Sequence, residues 1–321
     1  MSPEFNLIQH YFTRPTRHTE LSVGDDAALL RIKRGHQLAV STDMLVAGTH
    51  FFSDAAPYNI GWKSLAVNVS DMAAMGALPK WATLALALPE INHAWLSEFS
   101  CGFFACADAF EIDLIGGDTT RGSLNISVTI MGLCEKNHAL KRDGAQVDDD
   151  IWVSGFLGSA ALGLAHLQEK LVLDENVLEA TLKALHTPEP RVALGLALKN
   201  IAHSCIDISD GLLADLGHIL KASQLDAHLK HETMPVLPAL QTRLHEPMMQ
   251  QAILAGGDDY ELCFTAPKNQ RAAITSLSQE LCIPLTLIGK TTAQKNATPG
   301  AHVFYHEQEV LLNALGFDHF A

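Results

Sequence analysis

Cys205-Ile206-Asp207-Ile208-Ser209-Asp210-Gly211-Leu212-Leu213-Ala214-Asp215-Leu216-Gly217-His218-Ile219-Leu220 changes its period in mid-course. Cys205 to Ile208 reads as a short strand. Beyond Ser209-Asp210-Gly211, the apolar Leu212, Leu213, Leu216, Ile219 and Leu220 recur at the spacing of one helix face. A strand feeding a helix through a tight acidic turn is an α/β unit, and the same alternation recurs along the chain. The turn has two readings. Asp210 could be a helix N-cap and nothing more. A cap, however, leaves Asp207 and Gly211 without a purpose, whereas a helix start that receives phosphate gives the whole turn a role.

Working outward, five further islands share this composition: Gly24-Asp25-Asp26, Ser41-Thr42-Asp43, Asn68-Val69-Ser70-Asp71, the run Gly116-Gly117-Asp118-Thr119-Thr120-Arg121-Gly122, and Gly256-Gly257-Asp258-Asp259. Gathered in one cleft these carboxylates would repel and raise one another's pKa unless cations neutralise them. Hard oxygen donors in that number suit Mg²⁺, which in turn holds phosphate oxygens. In the Gly116 run, two glycines let the backbone approach a phosphate, Asp118 can hold a metal and Arg121 offers a guanidinium. Each island taken singly also reads as an ordinary turn. Among the 16 histidines, His50 stands out only by following Thr42-Asp43 and preceding Phe51-Phe52. The islands together describe a metal-dependent enzyme that handles phosphate.

The remaining composition sets bounds. At 321 residues two domains are the default, and a shift to charged and polar residues around Lys141 to Asp150 places the boundary so as to give 1–148 and 149–321. Hydrophobic content of 48% with 18% charged residues fits a compact fold. A net charge of -14, from 36 acids and 22 bases, argues against nucleic acid as the main partner. A nucleotide substrate reached through metal ions stays open. The six cysteines form no Cys-x-x-Cys and read as buried free thiols of a reducing compartment. With no signal pattern at the N-terminus and no apolar run of roughly 18 residues, the chain reads as soluble and cytoplasmic, without a membrane partner.

Local patterns predict a helix over Glu4 to Phe12, strands over Ala27 to Ile32 and Leu38 to Ser41, and a helix over Ile60 to Met75 with Ser64, Asn68 and Asp71 on one face. They predict a strand over Ala82 to Leu88, a helix over Ala94 to Ala109, and a strand Ile112 to Ile115 entering a turn at Gly116-Gly117-Asp118. Ile126 to Leu133 is a further strand. Beyond the boundary, Ala160 to Gln168 and Arg191 to Asn200 read as helical, Tyr260 to Thr265 and Leu285 to Ile288 as strands. Gly289-Lys290-Thr291 looks like the end of a P-loop, but the glycine required five residues earlier is Pro284. Dinucleotide, zinc-protease and serine-hydrolase motifs are missing as well.

Taken in order, the islands resemble the thiamine-monophosphate kinases, of the superfamily that includes aminoimidazole ribonucleotide synthetase. The resemblance runs through Val23 to Ala27, Ser41 to Phe51, Val67 to Ala77, Gly116 to Gly122, Ile206 to Gly211, Gly256 to Leu262 and the terminal Gly316-Phe317-Asp318-His319-Phe320. It implies an α/β (α+β type) two-domain fold of the aminoimidazole ribonucleotide synthetase kind, with N-terminal strands in a barrel shared across a homodimer. It implies transfer of the γ-phosphoryl of ATP to thiamine monophosphate by Mg²⁺-assisted in-line attack. By position, Asp26, Ser41, Thr42, Asp43, Asp71, Asp118, Asp207 and Asp210 match Mg²⁺ ligands. Gly117, Asp118, Arg142 and Ser209 match ATP contacts; His50, Asp258 and Phe317 match substrate contacts. Three positions depart from the pattern: Asp258 where Glu is usual, Phe317 where Tyr or Trp is frequent, and Asp148 where Gly is usual. A synthetase of the same superfamily and a two-metal phosphohydrolase are the alternatives.

Overall fold

The computed structural model describes residues 3–295, 297–312 and 315–317. The chain separates into two units, Met1–Met72 with Ala77–Asn137, and Ala73–Gly76 with His138–Ala321. The segment from His138 to Asp148, left in the first domain by the sequence division, clusters with the second unit.

In the first unit a short α1 (Pro3–Leu7) precedes β1 (His36–Val46), α2 (Pro57–Ala74), β2 (Leu78–Leu88), α3 (His93–Ala109), β3 (Asp113–Arg121) and β4 (Asn125–Glu135). The sheet runs β1-β4-β2-β3, antiparallel except for the β2–β3 pair. Its two faces differ. One buries Leu45, Leu84, Leu86, Ile126, Val128 and Ile130, with α2 laid against it. The other leaves Leu38, Val40 and Met44 of β1 exposed, Val40 at 57%. Gly61 of α2 and Gly102 of α3 let these two helices touch backbone to backbone, since a Cβ at either would enter the facing main chain at Phe99 or Tyr58.

The second unit holds β5 (Asp150–Ser154), α4 (Ser159–Leu167), α5 (Glu175–His186), α6 (Val192–Ala197), β6 (Ser204–Asp207), α7 (Leu212–Ser223), β7 (Leu225–Lys230), α8 (Pro247–Ala255), β8 (Leu262–Ala266), α9 (Arg271–Leu281), β9 (Leu285–Ala293), β10 (Ala301–Tyr305) and β11 (Gln308–Glu309). Its sheet order is β11-β10-β7-β9-β5-β8-β6, with only β7–β10 parallel. The Leu212, Leu216, Ile219 and Leu220 face of α7 joins Ile151, Val153, Ile253 and Leu254 in one core. Both sheets are mixed and carry helices, an α+β arrangement as the motifs imply.

Several local expectations need correction. Ala27 to Ile32 is no strand; only the single bridge Leu21↔Leu29 forms there, because β-propensity makes a strand only where a ladder partner exists. Ser41-Thr42-Asp43 lies within β1 rather than beyond its end, since β4 pairs with β1 from His36 to Val46. Gly116-Gly117-Asp118 continues β3 instead of turning. Gly117 takes φ +151 where a Cβ would collide with the Leu84 carbonyl, so glycine keeps the strand paired through this point. Tyr260, at φ 49, stays outside β8. Cys101 and Cys282 are exposed, whereas Cys106, Cys134, Cys205 and Cys263 are buried, and burial pushes the Cys106 thiol well up. Among the described residues no helix is long and apolar enough to cross a membrane.

Candidate active site

In the first unit β1 and α2 bring three of the expected residues together. Ser41 Oγ donates to Asp71 Oδ2 at 2.5 Å, and the Asp43 N–H donates to Asn68 Oδ1 at 3.2 Å. Asn68 is fixed in turn by its Nδ2 donating to the Ser64 carbonyl at 3.0 Å. The Ser64, Asn68 and Asp71 side of α2 is thus turned onto the strand, with Ser64 and Asn68 buried. Thr42 points to the opposite face, where its hydroxyl meets that of Thr129 at 2.8 Å.

Asp118 does not join this group within the unit. The ladder registers run Met44↔Ser127, Ala85↔Ser127 and Ala85↔Asp118, so Asp118 shares a row with Met44 on the open face. Asp43 occupies the neighbouring row with Val128, Leu84 and Gly117, facing the other way. The two aspartates also stand on opposite edge strands, three strand spacings or about 14 Å apart. Asp26 is exposed on the N-terminal segment, its N–H donating to Asp25 Oδ1 at 3.2 Å.

His50 sits in the tight loop after β1, where Gly48 takes φ +82. The Val46 N–H donates to His50 Nδ1 at 2.9 Å. That ring nitrogen therefore carries no proton, and a neutral His50 keeps its proton on Nε2, as a donor.

The second unit assembles the remaining residues more completely. Asp207 ends β6 and is buried. The loop that follows is tied to two others: the Asp258 N–H donates to the Ser209 carbonyl at 2.8 Å, and the Phe317 N–H donates to the Asp210 carbonyl at 3.0 Å. Ser209, Asp210, Asp258 and Phe317 therefore share one locality, with Gly257 pressed too close to the Ser209 carbonyl for any side chain. Asp318 to Phe320 of the terminal motif lie outside the described residues. Asp258 takes φ +70, a left-handed backbone that Asp tolerates better than most residues, and its Oδ1 accepts from the Tyr260 hydroxyl at 2.9 Å. Asp148, at φ +66, stands in the same kind of conformation, which accounts for the glycine usual there. Arg142 is exposed, with its carbonyl accepting from Ser223 Oγ at 3.0 Å.

Three further acids hold this locality in place: Asp215 and Glu261, which the sequence reading did not single out, and Asp259, read there only as a member of the Gly256 island. Asp215 Oδ2 accepts the N–H groups of Ser209, Asp210 and Gly211 at 3.0, 3.1 and 3.1 Å. Burial, then the Asp210 charge, pushes the Asp215 carboxyl up to about 6 against the pull of those three donors. Asp259 accepts the Gly158 N–H at 2.8 Å at the start of α4, and burial holds its carboxyl well above the usual range. Glu261, also buried, receives Arg191 through Nε at 2.7 Å and Nη2 at 2.5 Å, and Ser154 Oγ at 2.5 Å. The available signal was an acid within an apolar stretch: Asp215 lies between Leu213 and Leu216 on a helix face that is otherwise Leu and Ile.

The donors named for a metal are carboxylate and hydroxyl oxygens without His or Cys, the set a hard divalent ion takes. Among the described residues no three His, Cys, Asp or Glu side chains gather closely enough to hold one.

Comparison with known proteins matches this architecture. The N-terminal domain model of AIR synthase related protein covers residues 24–134 and its C-terminal domain model covers 146–301, which defines the class as two-domain AIR synthase related proteins. The thiamine-monophosphate kinase of Escherichia coli (strain K12) is 44% identical over 322 residues, 99% of this chain and 98% of that one. A crystal structure of thiamine-monophosphate kinase from Stenotrophomonas maltophilia K279a shares 48% identity at a TM-score of 0.83, covering 89% of this chain and 91% of that one. AaThiL complexed with AMPPCP and TMP shares 30% identity at a TM-score of 0.77, covering 93% and 92%. The chain belongs to the thiamine-monophosphate kinase family.

Proposed function

We propose that this chain phosphorylates thiamine monophosphate with ATP, giving thiamine diphosphate and ADP. The observation that carries this reading is its likeness, over 93% of the chain, to a relative complexed with AMPPCP and TMP, joined to the cluster of Ser209, Asp210, Asp258 and Phe317 in the second unit. Ser41, Thr42, Asp43, Asp71, Asp26 and Asp118 of the first unit, with Asp207 and Asp210 of the second, are the residues that would hold Mg²⁺. When bound, that ion neutralises phosphate charge and aligns donor with acceptor. Ser209, Arg142 and Gly117 serve ATP. His50 offers an Nε2–H to an anionic oxygen, while Asp258 and the Phe317 ring face the thiamine side. An acceptor phosphate is already deprotonated near neutral pH, so the residues need to orient and neutralise rather than to remove a proton.

The protein acts as a homodimer in this reading. Leu38, Val40 and Met44 form an apolar stripe on an uncovered sheet face, which a second copy of the same sheet would close into a barrel. Because Asp43 and Asp118 face opposite sides from opposite edges, one ion with ligands about 2 Å away cannot touch both in one chain. Asp118 therefore completes the metal site of the partner copy.

Purified protein incubated with Mg·ATP and thiamine monophosphate tests the activity, with thiamine esters and ADP separated afterwards. Thiamine diphosphate in step with ADP is expected. Thiamine with inorganic phosphate would sink the kinase in favour of a hydrolase.

A further inference from the structure

Every backbone group of the Ser209–Gly211 turn that could face a nucleotide has an internal use. Its three N–H groups converge on one oxygen of Asp215, a residue 3% exposed on the first turn of α7. Its Ser209 and Asp210 carbonyls accept the N–H groups of Asp258 and Phe317, and the Ile208 carbonyl accepts that of Tyr260. A helix N-terminus left open attracts phosphate through such amides. Here the carboxylate already fills it from inside, and a second anion at the same donors would meet a buried negative charge. Gly211, the residue at the N-cap position, has no side chain to do this work, and Asp210, which the sequence offered as the cap, makes no capping bond. Backbone bookkeeping therefore leaves only the Ser209 and Asp210 side chains to meet a ligand.

We propose that Asp215 is a positioning residue: its carboxylate locks the Ser209–Gly211 turn so that ligands are met by the Ser209 and Asp210 side chains and not by the helix amides. This rests on the reading that those side chains serve Mg²⁺ and ATP. Asp215→Asn keeps an acceptor oxygen without the charge; Asp215→Ala removes both. Backbone hydrogen exchange on ligand-free protein reads the lock directly. The Ser209, Asp210 and Gly211 amides should exchange slowly in the native chain, on the order of tenfold or more faster in Asp215→Ala, and in between in Asp215→Asn. The Mg²⁺ concentration for half-maximal activity should rise on the order of tenfold in Asp215→Ala, be partly rescued in Asp215→Asn, and do so without a matching fall in melting temperature. Unchanged exchange at the three amides, or an unchanged Mg²⁺ midpoint in a folded variant, overturns the proposal. If Asp215→Ala does not fold, Asp215→Asn decides by the same two readouts. Native protein whose activity ignores Mg²⁺ would instead defeat the underlying metal reading.

Discussion

The two units carry their acids in opposite ways. In the second, the turn after β6 is bound on all sides, by Asp215 beneath it and by the Asp258 and Phe317 backbones beside it. In the first, only Ser41, Asp43 and Asp71 are drawn together, while Thr42 and Asp118 look out from an uncovered sheet face. One unit is preorganised within its own chain; the other draws only part of its expected residues together. The difference teaches that acids which look alike in sequence can be held by very different amounts of backbone.

The strongest attempt to break this contrast uses two inactive proteins. Asp43→Asn and Asp118→Asn should each lower turnover by at least about 10²–10³-fold while remaining folded. If Asp118 serves the partner copy, mixing the two and letting dimers re-form should restore about a quarter of native activity, since half of the dimers then hold one intact site. Mixed material as dead as either parent would place both residues in the same chain's site. The rigidity of the second unit can be tested at Arg191, whose side chain is 21% exposed and whose partner Glu261 is 7% exposed. Arg191→Ala leaves that carboxylate buried without its cation and should cost about 3–5 kcal/mol in urea unfolding; a loss below 1 kcal/mol would mean the unit is less tightly built than its contacts imply.

The smallest effect concerns pH. His231 is fully buried in the second unit, donates from Nε2 to the Leu244 carbonyl at 2.9 Å, and is held below its usual pKa mainly by burial. The unfolded chain takes up this proton below about 6.5 while the folded chain resists it, so stability falls as pH drops beneath that value. Unfolding midpoints measured from pH 7 to pH 5 should decline, and His231→Gln should flatten the slope. An identical slope in the variant would remove His231 from the account.

Much of this was legible beforehand where local pattern and long-range packing agree. The Cys205–Leu220 run is a strand, a turn and a helix because its β-forming residues, its acidic glycine turn and its leucine spacing all point the same way. Agreement fails at Ala27 to Ile32, whose composition suits a strand but whose backbone meets one bridge partner. It fails also at Gly116-Gly117, where two glycines read locally as a turn and serve instead to pass Leu84. The length of β1 came from β4, not from its own residues. Of the candidate site, the expected residues were chosen by their island signatures, and Asp215 carried none. Its contribution runs through main-chain N–H groups, which every residue but proline possesses, so the one local sign of it was an acid set into an otherwise apolar helix face.

The paired glycines where α2 meets α3 carry a consequence for anyone engineering this enzyme. Alanine replacement of helical glycines is a routine route to thermostability, because it narrows the denatured ensemble and favours helix. At Gly61 and Gly102 the added methyl would enter the opposing main chain and pry the helices apart. The helix thus displaced carries Asn68 and Asp71, so a library built for heat tolerance would select, at these two codons, against the catalyst it set out to harden.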